Sequence, residues 1–179
     1  DLAPHAGCEV SLLEIRGLSV RFGGLTAVSR LDLDVEEGSL VALIGPNGAG
    51  KTTAFNVITG LYAPSDGSVR FDGREIGGVA PHRISALGIA RTFQNIRLFR
   101  SLSALDNVRA ALQGSRRNGA SDVLRLGGWI ASERASEVEA RGLLDELALG
   151  AFADARADSL PYGEQRRLEI ARALATRPK

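Results

Sequence analysis

The sequence predicts an α/β fold with a helical insertion, and three features support this. Strand patterns fill the first part of the chain, amphipathic helical patterns fill most of the rest, and a glycine-rich loop lies between an apolar run and a helix. Of the 179 residues, 44% are hydrophobic and 24% are charged. That balance is typical of a globular protein and excludes a disordered or collagen-like chain.

Charge and cysteine content exclude several classes of function. Lys plus Arg total 22 against 21 for Asp plus Glu, a net charge of +1 that gives no support to nucleic acid as a partner. The single cysteine, Cys8, excludes a disulfide framework and a cysteine zinc site, and fits a reducing compartment. The sequence has no methionine, even at position 1, and we expect it to be a piece of a longer chain.

Four segments have strand patterns. Apolar and polar residues alternate over 12–22 and over 31–35, and a further short strand is predicted over 68–72 before the turn pair Asp72-Gly73. The run Leu40–Ile44 is continuously apolar. Such a run is typical of a strand that helices cover on both faces of a parallel sheet.

Shorter helices are predicted in the first two thirds of the chain. Residues 52–59 form one, with Phe55 and Ile58 facing inward and Gly60 ending it. Residues 82–87 form a short second helix, and Ser103 begins a pattern that resembles a capping box.

The last third of the chain predicts two longer helices. A loop rich in Gly, Ser, Arg and Asn over 114–128 precedes a helix capped by Ser132 and ended by Gly150. Residues 163–175 form the last helix. The apolar face of the first of these helices is expected to comprise Ala135, Val138, Leu143, Leu144 and Leu147.

The run Gly45-Pro-Asn-Gly-Ala-Gly-Lys-Thr-Thr53 fits the phosphate-binding pattern G-x-x-x-x-G-K-[ST]. Its glycines allow successive N–H groups to point into one anion-binding nest, at the positive end of the helix that follows. Lys51 is expected to reach the outer phosphates, Thr52 to bind Mg²⁺ and Thr53 to bind a phosphate oxygen. The loop alone leaves ATPases, GTPases and small-molecule kinases open. The predicted nucleotide-binding residues are Gly45, Pro46, Asn47, Gly48, Ala49, Gly50, Lys51, Thr52 and Thr53.

Three further stretches carry a resemblance to a known family. They are Phe22 in Val20-Arg-Phe-Gly-Gly24, the segment Arg91-Thr-Phe-Gln-Asn-Ile-Arg-Leu-Phe99, and Leu160-Pro-Tyr-Gly-Glu-Gln-Arg-Arg-Leu-Glu-Ile-Ala-Arg-Ala-Leu174. With the glycine loop they resemble ATP-binding-cassette (ABC) ATPases over residues 12–179. The last two stretches look most like the ATP-binding subunits of branched-chain amino acid importers.

The resemblance implies a P-loop NTPase (RecA-like) core with an antiparallel β subdomain and an α-helical insertion, the C-terminal part of the core being missing. It divides the chain into a core and β subdomain over 12–92, a Q-loop and helical subdomain over 93–158, and a signature segment over 159–179.

The resemblance also implies roles for individual residues. Phe22 would stack on adenine, the alternative being that it is a core residue. Gln94 would contact Mg²⁺ and the attacking water, which makes it catalytic together with Lys51, and the residues after Gln94 would face a membrane-spanning partner. The signature would bind the ATP held by the other subunit of a head-to-tail dimer. Its residues are Leu160, Pro161, Tyr162, Gly163, Glu164 and Gln165.

The sequence departs from the family pattern in two ways. Pro161 stands where most cassettes have Ser, and Tyr162 replaces a Gly, so Tyr162 either contacts the ligand or only packs its ring. The strand that supplies the Mg²⁺-binding aspartate and the catalytic base, and the later switch histidine, are absent, and His5 and His82 are wrongly placed to replace that histidine. We therefore expect these 179 residues alone to bind nucleotide without turnover.

The resemblance implies an ATPase with ATP and Mg²⁺ as cofactors, which drives solute import, with branched-chain amino acids as the expected solute. Its expected partners are a second ATPase subunit, identical or paralogous, a membrane-spanning permease and, indirectly, a periplasmic or extracellular solute-binding protein. It would be cytoplasmic, on the inner face of the bacterial plasma membrane. The alternatives are a soluble cassette ATPase of DNA repair or translation, and a nucleotide-binding module without catalysis. Arginines on the last helix, Arg166, Arg167 and Arg172, are expected to form a solvated helix face, the alternative being that they bind phosphate.

Overall fold

The computed structural model describes residues 11–115 and 126–179, and their side chains except those of 115 and 126–132. Residues 1–10, with Cys8, lie outside the described residues, as does the stretch 116–125 of the predicted loop.

The chain divides into two compact units between Ile84 and Ser85. The three predicted parts, 12–92, 93–158 and 159–179, rest on the family resemblance and not on compactness, so they remain a prediction.

A four-stranded antiparallel sheet is the main element of the first unit. Its spatial order is β2 (Leu25–Val35), β1 (Leu13–Phe22), β3 (Asp66–Phe71) and β4 (Arg74–Glu75). The strands predicted over 12–22, 31–35 and 68–72 are confirmed as β1, β2 and β3, although β2 begins earlier than the alternating pattern indicated. An antiparallel β subdomain is therefore present, as the resemblance implied.

A bulge in β1 keeps its apolar side chains in the core. Ile15 and Leu18 are three residues apart, which would place them on opposite faces of a regular strand. Gly17, at φ 58°, lies where the register between β1 and β2 shifts, and the extra residue returns Leu18 to the core side. Both side chains are fully buried.

The apolar run Leu40–Ile44 is not a strand. Leu40 is 100% exposed and Ile44 is 90% exposed, and the run has no regular secondary structure. A strand needs a neighbour with which to form its backbone hydrogen bonds, and none of the strands in the described residues pairs with this run. The prediction of a strand buried on both faces is therefore wrong, because apolar sequence alone does not supply a hydrogen-bonding partner.

Helix α1 (Lys51–Ile58) begins directly after the glycine loop. Its buried residues are Ala54 and Val57, whereas Phe55 is 48% exposed, so the prediction that Phe55 faces inward is wrong. The helix has only about two turns, and its buried face is narrow. Phe55, next to Ala54 in sequence, therefore lies outside that face. Gly60 ends the helix as predicted, with φ 74° and an N–H that donates to the carbonyl of Val57 at 3.0 Å.

The second unit is helical. A short helix, α2 (Pro81–Ala86), contains the boundary between the two units. Its longer helices are α3 (Ala104–Ser115), α4 (Leu126–Glu146) and α5 (Tyr162–Ala175), with 3₁₀ turns at Gly150–Phe152 and Ala157–Ser159.

Small and branched apolar residues let the three longer helices pack closely. Ser103 caps α3 as predicted, since its hydroxyl accepts a hydrogen bond from the N–H of Asp106 at 3.0 Å. The buried core of this unit comprises Ala104, Leu105, Val108, Leu112, Ala140, Leu144, Leu149, Ala153, Ala157, Leu160, Leu168, Ala171 and Ala175.

Helix α4 buries only part of the predicted face, since Leu144 is buried and Leu143 and Leu147 pack against the core. Its backbone is already helical at Leu126, so the helix does not begin at a Ser132 cap. Of the described side chains, Ser136, Ala140 and Leu144 are buried at intervals of four residues, whereas Val138 is 72% exposed. Small residues at positions 136 and 140 permit close packing on α3, and this outweighs the larger apolar area of Val138.

The end of α4 also differs from the prediction. Ala148 adopts φ 55°, and the N–H of Leu149 donates to the carbonyl of Leu144 at 2.7 Å. The helix is thus closed by a left-handed alanine, while Gly150 begins the 3₁₀ turn that follows.

Within residues 11–115 and 126–179, no helix combines the length and the apolar content that crossing a membrane requires.

We predict that Leu144→Ala lowers the free energy of unfolding by about 2–5 kcal/mol, because it leaves a cavity in the core of the second unit. Val138→Ala, on the same helix, should change it by less than about 0.5 kcal/mol. Urea denaturation of both variants measures the difference. Equal losses would contradict the buried face assigned to α4.

Candidate nucleotide-binding site

The glycine loop, residues 45–50, forms the connection into α1. The N–H of Ala49 donates to the carbonyl of Pro46 at 3.2 Å, which closes a tight turn. Gly48 and Gly50 lie in the left-handed region, at φ 86° and 81°. These two glycines therefore supply backbone conformations that L side chains rarely adopt, as the phosphate-binding pattern predicted.

Gly50 lies against the backbone of β2. A Cβ atom built on it would be 2.2 Å from the carbonyl oxygen of Ala27 and 3.0 Å from the Val28 Cγ2 atom. Only a residue without a side chain fits at this position. The glycine loop is thus held at a defined place beside the sheet.

The side chain of Lys51 folds back over the start of the loop. Its Nζ atom donates to the carbonyl oxygens of Gly45 at 2.6 Å and Pro46 at 2.7 Å. The ammonium group is therefore held at the mouth of the loop by neutral acceptors. In this position it can attract an anion.

The start of α1 adds a second source of positive potential. The first hydrogen bond of the helix runs from the N–H of Ala54 to the carbonyl of Gly50 at 2.9 Å. No side chain caps this helix start. The leading N–H groups of a helix lack carbonyl partners within the helix and point at an anion bound there.

Hydroxyl groups lie at the same helix start. Thr52 is exposed and Thr53 is partly exposed, and the exposed Asn47 lies in the loop before them. Within the described residues, no group of three or more His, Cys, Asp or Glu side chains is placed to hold a metal ion. The Thr52 hydroxyl, with phosphate oxygens, nevertheless belongs to the hard oxygen donors that Mg²⁺ prefers.

Phe22, at the end of β1, forms an aromatic pair with Tyr62. The ring centroids are 5.2 Å apart with an interplanar angle of 75°, an edge-to-face arrangement. Phe22 is 45% exposed, so it is not a core residue. Sequence reasoning missed Tyr62, because no motif marks an aromatic residue two positions after Gly60.

Gln94 lies in the second unit, in the irregular segment between α2 and α3, and it is exposed. Just before it, the ring of Phe93 has the guanidinium groups of Arg97 and Arg91 at 4.4 Å and 4.9 Å from its centroid. Burial, and secondarily the charge of Arg97, lower the pKa of Arg91. The segment that presents Gln94 is therefore packed, although it is neither helix nor strand.

The predicted signature forms the start of α5. Leu160 is buried in the core of the second unit, and Pro161 stands at the N-cap. Gln165 closes the first turn: its N–H donates to the carbonyl of Pro161 at 3.0 Å, and its side-chain amide donates to the carbonyl of Leu160 at 2.8 Å. Glu164 accepts a hydrogen bond from Arg167 at 2.7 Å.

The first residues of α5 are accessible. Pro161, Tyr162 and Gly163 are exposed, and a Cβ atom built on Gly163 would meet nothing within 4 Å. Since no side chain covers the backbone at Gly163, this exposed helix start can present N–H groups to an anion brought by another molecule.

Two arginines of α5 do not form the solvated face that the sequence predicted. Arg166 donates to the carbonyl oxygens of Phe93, at 2.7 Å, and Gln94. Arg172 donates to the carbonyl of Arg97 and lies over the ring of Phe99, 4.8 Å from its centroid. Burial lowers the pKa of Arg172.

The prediction for Arg166 and Arg172 is wrong because an irregular segment leaves backbone carbonyls without partners, and long arginine side chains can reach them. No local signal in the sequence indicated these contacts, because the carbonyls lie more than 70 residues away along the chain.

Comparisons with known proteins identify the family. The family model described as ABC transporter matches residues 28–179. The chain is 46% identical over 169 residues to the high-affinity branched-chain amino acid transport ATP-binding protein BraF of Pseudomonas aeruginosa, and 38% identical to LivG of Escherichia coli K12 over the same length. Both alignments cover 94% of this chain and 66% of the relative, so the chain spans just under two thirds of their length.

Solved structures agree. The ADP conformation of the ATP-binding cassette MJ1267 matches with a TM-score of 0.79 and 30% identity, covering 95% of this chain and 66% of that one. A dimeric post-hydrolysis cassette, MJ0796 bound to ADP and Pi, matches with a TM-score of 0.75 and 27% identity, covering 93% and 70%. The predicted P-loop NTPase fold class is confirmed, and the chain belongs to the ABC transporter family of ATP-binding cassettes.

We predict that Gly50→Ala lowers the free energy of unfolding by about 1–3 kcal/mol more than Gly48→Ala. The two glycines have similar φ, but only at Gly50 would the added methyl group meet backbone atoms. Urea denaturation of the two variants isolates that contact. Equal losses would show that the loop does not lie against β2 as described.

Proposed function

We propose that this chain carries the nucleotide-binding part of an ABC importer subunit that hydrolyses ATP and couples hydrolysis to the uptake of branched-chain amino acids. The observation that carries the proposal is the glycine loop with Lys51 at its mouth, directly before the start of a helix. Similarity to BraF and LivG, whose names describe branched-chain amino acid transport, supports the choice of solute.

The residues of the loop would bind the phosphates of ATP. Lys51 exchanges its two carbonyl acceptors for oxygens of the outer phosphates, and the N–H groups at the start of α1 bind the same anion. Thr52 would hold Mg²⁺, which supplies positive charge at the phosphate oxygens when bound, and Thr53 would bind a phosphate oxygen. Phe22 would stack on adenine with its ring oriented by Tyr62.

Hydrolysis is an in-line attack of water on the γ-phosphate, in which charge develops on the phosphate oxygens. Lys51 and the backbone N–H groups stabilise that charge without reorganising. Gln94 would contact Mg²⁺ and orient the attacking water through its side-chain amide. The amide is suited to this because it both donates and accepts hydrogen bonds.

A second subunit, identical or paralogous, would complete the site. The accessible start of α5, with Tyr162 and Gly163 exposed, would contact the ATP held by that subunit. A dimeric solved cassette among the structural neighbours supports this assembly. The Ser hydroxyl usual in the signature is replaced by Pro161, so backbone N–H groups would make the contact.

The remaining proposed partners are a membrane-spanning permease and, through it, a periplasmic or extracellular solute-binding protein. The subunit would then lie on the cytoplasmic face of the plasma membrane. The exposed side chain of Phe99, five residues after Gln94, offers an apolar surface for the permease.

We predict that Lys51→Ala weakens ATP binding by about 10- to 150-fold, because one charge-assisted contact to phosphate contributes about 1.5–3 kcal/mol. Calorimetry on the full-length protein measures the affinity for ATP. Lys179→Ala is the control, since it removes the same charge in the second unit. Equal affinities for the wild type and Lys51→Ala would contradict the proposed function.

We predict that Phe99→Asp lowers transport and association with the permease while ATP affinity stays within about twofold, since loss of this contact costs about 1–3 kcal/mol. Val138→Asp, also an exposed apolar residue of the second unit, is the control. Uptake in proteoliposomes and co-purification with the permease are the measurements. Normal transport by Phe99→Asp would exclude Phe99 from the permease contact.

A further inference from the structure

Helix α5 holds the backbone around Gln94 through an ion pair. Glu169 is 5% exposed, and its Oε1 atom accepts a hydrogen bond from the N–H of Phe93 at 3.1 Å. Its Oε2 atom accepts one from Arg166 at 3.2 Å. The same guanidinium donates to the carbonyl oxygens of Phe93 and Gln94. One ion pair on α5 therefore binds three polar groups of the loop backbone, all of them on Phe93 and Gln94.

These contacts constrain the direction of the Gln94 side chain. The carbonyl of Phe93 belongs to the peptide plane before the Gln94 Cα atom, and the carbonyl of Gln94 belongs to the plane after it. Because peptide units are planar, fixing both planes limits φ and ψ at the atom between them. The Cα–Cβ bond of Gln94 then points in one direction, although the residue lies outside regular secondary structure and its side chain is exposed.

The same guanidinium reaches the predicted signature. Its Nε and Nη2 atoms lie 3.0 Å and 2.9 Å from the hydroxyl of Tyr162, to which they donate, and its carbon atom lies 5.3 Å from the ring centroid. Tyr162 is the first residue of α5 and is 66% exposed. Arg166 thus touches both Tyr162 and the carbonyl of Gln94.

We propose that Arg166 and Glu169 are positioning residues for Gln94, and that Arg166 links Tyr162 at the start of α5 to the backbone of Gln94. This rests on the proposed function, since it requires Gln94 to orient the water in ATP hydrolysis. A ligand that moves Tyr162 would shift the guanidinium, and the carbonyl of Gln94 would move with it. Both residues would act through the backbone of Gln94 and not on the reacting atoms themselves.

The test measures steady-state ATP hydrolysis by the full-length protein assembled with its permease. The variants are Glu169→Ala, Glu169→Gln and Arg166→Met. Glu169→Ala and Arg166→Met should lower kcat by about 10- to 100-fold, because small misplacements of a catalytic group cost rates of this size. The KM for ATP should stay within about twofold. Glu169→Gln keeps an oxygen that accepts from the N–H of Phe93 and should recover most of the rate.

Arg167→Met is the matched control, because Arg167 neighbours Arg166 on α5 but donates to Glu164 and to the carbonyl of Leu147. Its kcat should stay within about twofold of the wild type. A loss equal to that of Arg166→Met would reduce the effect to general stability of α5 and overturn the proposal.

A double-mutant cycle separates positioning from an independent structural role. If Glu169 acts through Gln94, adding Glu169→Ala to Gln94→Ala should lower kcat by no more than about twofold. Losses that multiply would overturn the proposal, as would a wild-type kcat in Glu169→Ala. Arg166→Met, at a partly exposed residue, gives the same cycle if Glu169→Ala does not fold.

Hydrogen exchange distinguishes this inference from the proposed function. Glu169→Ala should raise amide exchange in a peptide covering residues 91–97, whether or not the protein hydrolyses ATP. Unchanged exchange there would overturn the positioning role. Absence of Lys51-dependent hydrolysis in the wild type would instead contradict the proposed function and leave the exchange result to decide whether α5 holds the loop.

Discussion

The close approach of Gly50 to the backbone of β2 is the contact on which the geometry of the candidate site depends. The space that a Cβ atom would need is filled by the carbonyl of Ala27. Absence of a side chain allows the loop to lie there, and the loop in turn sets where α1 begins. Lys51 is the first residue of that helix, so its ammonium group and the leading N–H groups of the helix lie at the same place beside the loop. A backbone contact thereby determines where an anion is attracted.

The second unit depends in a comparable way on α5. One side of this helix lies in the core through Leu168, Ala171 and Ala175. Two arginines of the same helix, Arg166 and Arg172, bind carbonyls of the irregular segment before α3. Half-buried carbonyls outside regular structure need donors, and arginine reaches them while its charge stays partly solvated. A loop with little secondary structure thus acquires a defined backbone.

Family membership and site geometry support each other without being the same evidence. The match over residues 28–179 shows the family, and the loop geometry shows that phosphate binding is chemically reasonable in this chain. Substrate, partners and turnover belong to the whole protein. This chain spans only 66% of the length of its relative BraF. The ion pair of Arg166 and Glu169 is a contact within this chain, and it gives the irregular Gln94 segment a physical reason to hold its shape.

The sequence by itself determined the features that depend on local chemistry. The glycine loop, the helix after it, the Ser103 cap and the bounds of α5 follow from residue types at fixed spacing, because caps and turns are short-range interactions. Only the tertiary structure decided which apolar residues are buried. Leu40 and Val138 have suitable side chains but no neighbour to cover them, whereas Ser136 is buried because small residues allow helices to approach. The loop carbonyls that Arg166 binds lie more than 70 residues away in the chain, and contacts over that separation are set by packing, which periodicity does not encode.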